Sequence, residues 1–362
     1  MIYIAYFIVA FYVIQLLVAL SNLVFVVQLK PVEGKSAPLI SVLIPARNEE
    51  KNIGVLLSAL INQEYQNIEI IVFNDVSTDR TSEVVAEIAK TDQRITLINS
   101  ENLPSGWLGK NFACHSLSKY AKGKYLLFLD ADVQVKNSAI ANSIALAVKY
   151  KSGLLSIFPK QKMKTIGERL TVPNMNYILL SLLPLALVRN SKSTSLAAAN
   201  GQFMLFESET YFATSPHEKF KDNKVEDINI ARYYKNNKIS VVCLPGDDNV
   251  ECRMYNSLGE AVNGFSKNVT SFFGNSYTLA IVFWLITTFG LLAIFYGVGL
   301  FQFYLALTIF LLSRIVISII SRQNMLLNLV LLIPQQLVIG LFIAKAIINK
   351  FKNQSEWKGR TI

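Results

Sequence analysis

Histidine and cysteine are scarce in this chain, and their scarcity excludes several kinds of chemistry. The 362 residues contain two histidines and three cysteines. Cys114, Cys243 and Cys252 are odd in number and show no C-x-x-C spacing, which favours a reducing compartment and argues against a disulfide framework or a zinc site. His115 and His217 are the two histidines, which argues against a histidine-based metal site or catalytic triad.

A dense run of basic residues is also missing, although the chain carries a formal net charge of +10. Because lysine and arginine are scattered, we expect no nucleic-acid partner. The composition is instead strongly apolar, with 52% hydrophobic residues and a mean hydropathy of +0.37. Together, the basic charge and the apolar composition favour a membrane protein with a cytoplasmic face near anionic lipid.

Long apolar runs at both ends of the chain are typical of membrane helices. Residues 1–29 are predicted to be a retained transmembrane anchor, because the run is longer than a signal-peptide core and lacks a basic start. Lys30 and Lys35 follow it, which places the N-terminus outside and the next domain in the cytoplasm. A C-terminal membrane region at 277–349 precedes a basic cytoplasmic tail at 350–362, and its predicted spans are 278–298, 300–321 and 325–348.

Three C-terminal crossings would place the basic tail outside, against the charge rule. We therefore expect one of these segments to be re-entrant or interfacial, with Pro334 or Arg314 at the break. A further apolar stretch at 170–190 is interrupted by Pro173 and Pro184, and it is predicted to lie on the bilayer surface. The whole pattern predicts a multi-pass protein of the cell membrane.

Residues 39–270 carry the pattern of a soluble α/β domain. Apolar strands alternate with helices, which predicts a mostly parallel sheet with helices on both faces. Such sheets bind ligands beyond the carboxyl ends of their strands. Polar motifs stand at three of those ends, PARNEE at 45–50, NDVSTD at 74–79 and DAD at 130–132. The predicted elements lie at 39–46, 51–62, 68–75, 81–90, 94–100, 110–120 and 125–129.

Asp130 and Asp132 directly follow the apolar strand at 125–129. Residues two apart on a strand point the same way, so the two carboxylates are expected side by side. Like charges at such a distance repel, unless one is protonated or a cation lies between them. The pattern is compatible with a metal or phosphate site, and also with a plain turn that begins at Asp.

The three polar motifs, in this order and spacing, resemble family 2 glycosyltransferases of the GT-A fold, over roughly residues 39–270. Val76 stands where that family usually has glycine. Ser77 or Thr78 could also simply cap the following helix. The resemblance implies that the first two loops hold the nucleotide of a sugar donor, with Asp75 against the uracil and a neighbouring wall of Pro45, Arg47, Asn48 and Glu49.

DAD matches the D-x-D motif of this family, which implies that Asp130 and Asp132 together serve the sugar, the ribose and a divalent cation. The cation would be Mg²⁺ or Mn²⁺, which prefer oxygen ligands, and Asp132 is preferred as the direct ligand. Lys110 stands at a predicted helix start. The resemblance makes it a nucleotide or phosphate contact, and a solvated surface lysine is the equal alternative.

Glu226 and Asp227 match the catalytic E-D pair of the family. Asp227 is implied as the base that takes the proton of the acceptor while its oxygen attacks the anomeric carbon. An N-cap role for Asp227 is the alternative, and a carboxylate acceptor would need it mainly for orientation. Arg253 stands where processive relatives carry Q-x-x-R-W, and it could clamp the diphosphate.

Further stretches resemble bacterial carotenoid-acid glycosyltransferases of the diaponeurosporenoate type. The resemblance implies an inverting transfer of glucose from UDP-glucose to a membrane-embedded isoprenoid acceptor, a C30 apocarotenoid carboxylate. Polyprenyl phosphate, a hopanoid or a diacylglycerol are the alternative acceptors. The WKGR segment of the tail could fold back over the active site or touch lipid headgroups. The stretches are WLGKNFAC, LLSIFP at 154–159, RMYNSLGE at 253–260 and EWKGR at 356–360.

Two other classes of protein share part of the pattern. A haloacid-dehalogenase-like phosphatase also ends an apolar strand in D-x-D, with Asp130 as nucleophile and Asp132 as acid, and 246–248 could mimic its later acidic motif. Against it, Gln134 stands where Thr or Val is usual, and DAD is not on the first strand. A membrane protein that only binds nucleotide would leave Glu226 and its neighbouring acid without a role.

Overall fold

The computed structural model describes residues 1–25, 27, 29, 38–352, 356–357 and 360–361. Within them the strands are β1 (Ile40–Ala46), β2 (Ile68–Asn74), β3 (Ile95–Asn99), β4 (Tyr125–Leu129), β5 (Val133–Val135), β6 (Leu154–Phe158), β7 (Lys160–Gln161), β8 (Phe203–Glu207), β9 (Val241–Pro245), β10 (Val250–Cys252), β11 (Glu356–Trp357) and β12 (Arg360–Thr361). The first helices are α1 (Ile2–Phe25), α2 (Ile53–Ile61), α3 (Thr81–Ala89), α4 (Gly109–Ser118), α5 (Ala139–Tyr150), α6 (Ile166–Thr171), α7 (Pro173–Leu182) and α8 (Leu185–Asn190). The later ones are α9 (Ser208–Thr214), α10 (Pro216–Lys219), α11 (Glu226–Asn236), α12 (Leu258–Asn268), α13 (Tyr277–Val298), α14 (Leu300–Ile320), α15 (Met325–Val330) and α16 (Leu332–Lys352).

A seven-stranded sheet forms the centre of the molecule, with the strand order β3-β2-β1-β4-β8-β6-β9. β1 pairs in parallel with β2 and β4, β2 with β3, and β6 with β9. Only β8 within this sheet runs antiparallel to its neighbours, β4 and β6. β1, β2 and β4 are apolar and almost entirely buried, as expected for parallel strands covered on both faces. The predicted mostly parallel α/β sheet is confirmed.

Alternate residues of β1 enter two different hydrophobic clusters, as the pleat requires. Val42 and Ile44 pack into the cluster that contains the buried face of α2 and α5. Leu43 belongs to the other cluster, which continues through α4 and α7 into the apolar helices α1, α13 and α14. One face of the sheet therefore shares its core with the membrane-type helices.

The strand register brings the three polar motifs to one edge of the sheet. Ala46 pairs with Asn74, so β1 and β2 end at the same level. β4 lies parallel on the other side of β1. Directly after β4, the amide of Asp130 donates to the carbonyl of Gln202 at 3.1 Å and so continues the pairing of β4 with β8. The loops after β1, β2 and β4 consequently leave the sheet side by side.

Four of the described helices are long and apolar enough to cross a membrane, namely α1, α13, α14 and α16. The predicted span at 325–348 is divided at Leu331 into α15 and α16. Pro334 lies in the first turn of α16, directly after this break, where a proline is tolerated. The expectation of a break at Arg314 is wrong, because this residue lies inside α14. The three C-terminal long helices are all of spanning length, so length alone singles out no re-entrant segment.

The apolar stretch at 170–190 is helical but broken, and it forms the end of α6 and the whole of α7 and α8. Gln15 of α1 donates to the Ser181 hydroxyl at 3.1 Å, and Asn174 donates to the carbonyl of Gln335 in α16 at 3.0 Å. These bonds hold one face of α7 against two of the membrane-type helices. Its position at a bilayer surface remains a prediction.

Two sequence predictions fall outside the described residues. Lys30 and Lys35, on which the orientation of the anchor depends, belong to segments that the structure does not describe. Lys358 and Gly359 of the WKGR segment also lie outside the described residues. The strands β11 and β12 on either side of them pair antiparallel.

Candidate active site

A polar cavity of about 500 Å³ opens at the carboxyl edge of β1, β2 and β4. Two of the residues predicted for the site, Asn48 and Arg253, do not belong to its lining. The structure thus brings together residues that are far apart in the sequence. Those predicted residues that line the polar cavity are Pro45, Arg47, Glu49, Asp75, Lys110, Asp130, Asp132, Glu226 and Asp227.

The loop after β1 is bound to the loop after β2 through Arg47. Its Nη1 donates to the carbonyl oxygens of Asp75 at 2.7 Å and Val76 at 3.1 Å. Asp75 is only 2% exposed, and its side chain borders the cavity. Val76 has a φ of 51°, which is unfavourable for a β-branched residue and favours the glycine that the family usually has there. The arginine therefore braces a strained turn.

Asn48 supports this wall from outside the cavity. Its amide donates to the Ser77 hydroxyl at 3.0 Å, and its Oδ1 accepts from the amide of Thr78 at 2.8 Å. α3 begins only at Thr81, after Arg80 as N-cap, so a helix-capping role for Ser77 or Thr78 is wrong. These residues instead fasten the two loops to each other.

Lys110, at the start of α4, is the cation that lies beside the D-x-D motif. Its Nζ is 2.7 and 2.8 Å from the two carboxylate oxygens of Asp130, and it donates to the carbonyl of Gly201 at 3.1 Å. Burial alone would lower the pKa of Lys110, but Asp130 and Glu226 outweigh burial and raise it. With its side chain 24% exposed inside the cavity, Lys110 is not a solvated surface lysine.

Asp130 and Asp132 both border the polar cavity, but they stand in a turn and not on a strand, because β4 ends at Leu129 and the amide of Val133 donates to the carbonyl of Asp130 at 3.1 Å. The described residues contain no group of three or more His, Cys, Asp or Glu side chains that could hold a metal ion. Mg²⁺ does not need such a group, since it is commonly held by one or two carboxylates together with substrate phosphates. The oxygen-only donor set of Asp130 and Asp132 fits a hard divalent cation.

The Gly201 peptide joins the lysine to the acidic pair at the start of α11. Its amide donates to Oδ2 of Asp227 at 2.9 Å, while its carbonyl accepts from Lys110. A Cβ at this position would lie 3.1 Å from Lys110 Nζ and 3.3 Å from Glu226 Oε1. From the sequence, the segment 200–202 could lie near the acceptor or equally form a plain turn, because only the fold reveals which side chains lie close to Gly201.

Burial shifts the protonation of both acids at the start of α11. It raises the pKa of Glu226 to about 7, although Lys110, 4.0 Å away, works in the opposite direction. Burial also raises the pKa of Asp227. Val225 is the N-cap of α11, yet Oδ1 of Asp227 accepts from the amide of Ile228 at 2.8 Å. Asp227 therefore borders the cavity with one carboxylate oxygen bound to the amide of Gly201 and the other bound to the amide of Ile228.

Arg253 lies apart from the polar cavity, contrary to the expected diphosphate clamp. Its Nε donates to Oε1 of Glu168 at 2.7 Å and its Nη2 contacts Oε2 at 3.4 Å. Glu168 is 0% exposed and forms a capping box with Thr165 at the start of α6. Burial alone would raise its pKa, but bonds from Arg253 and Thr165 hold the pKa of Glu168 at about 2. The pair links α6 to the end of β10.

Comparison with known proteins assigns the part of the chain that contains most of the sheet to a family. Residues 41–207 match the family model described as glycosyl transferase family 2. These residues form a family 2 glycosyltransferase domain. The resemblance drawn from the three polar motifs is thereby confirmed.

Curated relatives of the glycosyltransferase match most of its length. The 4,4'-diaponeurosporenoate glycosyltransferase of Staphylococcus haemolyticus is 29% identical over 279 residues, which cover 75% of this chain and 72% of the relative. A protein of the same name from Staphylococcus aureus (strain USA300) is 27% identical over 344 residues, with 89% and 87% covered. Both names belong to the group that the shorter sequence stretches resemble.

A solved structure shows the fold of the glycosyltransferase. The mannosyltransferase PcManGT from Pyrobaculum calidifontis, solved in complex with GDP-Man and Mn²⁺, superposes with a TM-score of 0.59 at 16% sequence identity. The match covers 96% of this chain and 99% of that chain. The predicted GT-A fold is confirmed.

A second, mainly apolar cavity of about 210 Å³ adjoins the polar cavity of the glycosyltransferase. It is bordered by α7, the segment 195–200, the start of α11 and the region of α12. No sequence motif indicates this cavity, since most of its walls are apolar side chains from segments that are distant in the chain. The residues that line both cavities are Asn200, Asp227, Met254, Tyr255 and Asn268.

The acidic segment that could mimic a phosphatase motif lies elsewhere. Asp248 forms ion pairs with Lys160 at 2.5 Å and with Arg322 at 3.3 Å. Its side chain is 48% exposed, and neither cavity includes it. The phosphatase alternative therefore lacks its second acidic motif at this site.

Proposed function

We propose that this glycosyltransferase moves glucose from UDP-glucose to an isoprenoid carboxylic acid that stays in the membrane. The observation that carries the proposal is the position of Asp227, which borders both the polar and the apolar cavity. A water-soluble donor and an apolar acceptor need separate binding spaces that meet at the reacting atoms. Asp227 is the acidic residue common to both spaces.

The donor side of the proposal is supported by the polar cavity. Asp75 would contact the uracil, with Arg47 fixing the backbone around it, and Lys110 would offset charge on the diphosphate. The neighbour of the same fold was solved with a nucleotide sugar and Mn²⁺. A divalent cation would be held by Asp132 and Asp130, and when bound it neutralises charge that develops on the leaving diphosphate.

The acceptor side is supported by the apolar cavity and by the names of the curated relatives, which are diaponeurosporenoate glycosyltransferases. Transfer forms a C–O bond between the acceptor oxygen and the anomeric carbon. The bond from that carbon to the diphosphate oxygen breaks, and its electron pair leaves with UDP. A carboxylate brings no proton to this step, so Asp227 orients it. A hydroxyl acceptor would instead pass its proton to Asp227.

The proposal includes a place in the cell membrane, with an anchor at 1–29, a cytoplasmic catalytic domain at 39–270 and further membrane helices at 277–349. It is supported by the four helices of spanning length. Four crossings would put both chain ends on the same side. A cytoplasmic tail at 350–362 therefore requires that one of the four helices does not cross.

Asp227→Asn tests the proposed chemistry in protein reconstituted into nanodiscs. We expect the variant to bind UDP-glucose like the wild type, measured by calorimetry, and to lose glucosyl-ester formation by up to about a hundredfold, measured by mass spectrometry, because it no longer holds the acceptor carboxylate in the reacting orientation. The exposed Asp222→Asn is the matched control. Wild-type rates in Asp227→Asn would remove this residue as a catalyst. UDP-glucose binding without turnover of any lipid by the wild type would leave only a nucleotide-binding protein.

A further inference from the structure

Arg232 is the positively charged residue in the lining of the apolar cavity. The described lining contains two charged side chains, Asp227 and Arg232, and both belong to α11. The remaining lining residues are apolar or uncharged. A guanidinium group in such a wall needs a physical reason, because a charge removed from water is costly unless it is paired.

The guanidinium of Arg232 has only weak partners within the described part of the chain. Nη2 is 3.4 Å from the carbonyl of Ser271, and Nη1 is 3.5 Å from Oδ1 of Asn229, both at the long limit of a hydrogen bond. No described Asp or Glu forms an ion pair with it. By contrast, Arg94 and Arg253 each contact a carboxylate at 2.7 Å. Most of the five N–H donors of Arg232 are therefore available to a ligand.

Arg232 and Asp227 line the same cavity from one helix, α11. Arg232 follows Asp227 by five residues, which corresponds to roughly 7.5 Å along the helix axis and a rotation of roughly 140° about it, so the two side chains leave different faces of α11. An arginine side chain is long and leans towards the helix N-terminus, where Asp227 lies, so its guanidinium can approach the end of the cavity that Asp227 borders. A group held by Arg232 can therefore lie near the junction of the two cavities.

We infer that Arg232 binds the anionic head group of the acceptor and selects acidic lipids over neutral ones; this inference rests on the proposed function. A carboxylate that enters the apolar cavity loses its hydration, and a planar guanidinium can replace it with two parallel hydrogen bonds. Arg232 would also offset repulsion between that carboxylate and Asp227. A neutral hopanoid or diacylglycerol would leave the guanidinium without a counter-charge.

The acidic acceptor also removes the need for proton transfer. Its carboxylate oxygen forms the bond to the anomeric carbon, and the electron pair of the broken bond leaves with the diphosphate. A lipid phosphate has the same charge and hydrogen-bonding pattern as a carboxylate, so it is the second possible source of the anionic group. The test below separates the two.

Arg232→Met is tested by direct binding, without sugar donor, of all-trans-retinoic acid and all-trans-retinol, which differ in the head group. Binding to nanodisc-embedded protein is followed by quenching of tryptophan fluorescence. Loss of a hydrogen bond to a charged group is expected to weaken retinoic acid binding by about ten- to hundredfold. Retinol binding is expected to change by less than about twofold, since it makes no charged contact. Arg232→Lys should lie between wild type and Arg232→Met.

The control is Arg80→Met, because Arg80 is exposed on α3 and lines neither cavity. It should leave the binding of both retinoids unchanged. Farnesyl phosphate is the third probe, and if it binds tightly where retinoic acid binds weakly, the anionic group is a phosphate.

Equal losses for acid and alcohol in Arg232→Met would overturn the inference. So would an unchanged affinity for the acid, or a wild-type protein that binds the alcohol as tightly as the acid or binds neither anionic probe. Because the assay involves no sugar transfer, a failure of glucosyl transfer does not change its outcome. Conversely, an active enzyme with an unaffected Arg232→Met variant would reject only the role of Arg232.

Discussion

The polar and apolar cavities meet at Asp227, but they are built in different ways. One wall of the polar cavity is formed by loops that directly follow the parallel strands β1, β2 and β4, so the charged residues of this wall stand at fixed places in the chain pattern. Its other walls come from α4, the segment 200–202, α11 and α12. The apolar cavity is assembled from α7, α11, α12 and the segment 195–200. The comparison teaches that the strand-end wall of the polar cavity is a property of the sheet, whereas the apolar cavity depends on tertiary packing.

The two cavities also differ in what holds their walls. Hydrogen bonds and ion pairs such as Lys110–Asp130 fix the polar cavity from within the domain. One wall of the apolar cavity is α7, and Gln15 of the N-terminal helix α1 binds its Ser181. The helix α1 therefore helps to hold α7, one wall of the apolar cavity, in place.

Asp132→Ala should give the largest effect and should affect the polar cavity alone. Removal of a group that steadies charge in the transition state is expected to lower metal-dependent transfer about a hundred- to thousandfold. The thermal midpoint and the binding of apolar acids should stay at the wild-type value. Transfer is measured with Mg²⁺ or Mn²⁺ and with chelator, and the exposed Glu209→Ala is the control. Full activity of Asp132→Ala in chelator would reject the cation site.

Much of the polar cavity could be predicted from sequence, for a physical reason. Parallel strands appear in a sequence as apolar runs, and the residues just beyond their ends must meet at one edge, so Asp75, Asp130 and Asp132 could be assigned to one site. Arg253 shows the limit of this reasoning. Its partner Glu168 is 85 positions away in the chain and belongs to no motif, so only the fold reveals their ion pair.

The apolar cavity and the membrane helices were less predictable. Hydrophobic side chains that border a cavity look the same in a sequence as those that fill a core. Gly201 and Arg232 likewise carry no local signal, because their importance comes from neighbours that arrive from other elements. The break at Leu331 has one local signal, Pro334 in the first turn of α16, which cannot donate a hydrogen bond back to Val330.

Gly201→Ala should give a smaller effect, at the junction between the cavities. The added Cβ would lie 3.1 Å from Lys110 Nζ and 3.3 Å from Glu226 Oε1, so these side chains must shift by a few tenths of an ångström. We expect kcat to fall about tenfold, since catalysis is sensitive to such displacements, with little change in thermal midpoint. Gly259→Ala is the matched control, because its Cβ would meet nothing within 4 Å. Equal kcat values for both variants would show that Gly201 does not position the site.

Arg253→Met should give the smallest effect on function, and it distinguishes a structural arginine from the diphosphate clamp expected from sequence. The variant leaves the buried Glu168 without its ion-pair partner, which is expected to lower the free energy of unfolding by about 1–3 kcal/mol. Since the lowered pKa of Glu168 contributes stability above its unfolded pKa and loses it as the pH falls towards 2, the deficit should shrink in acid. UDP-glucose affinity, measured by calorimetry, should not change. Arg80→Met, which breaks the exposed pair with Glu83, should cost much less. A weaker affinity for UDP-glucose at unchanged stability would restore Arg253 to the donor site.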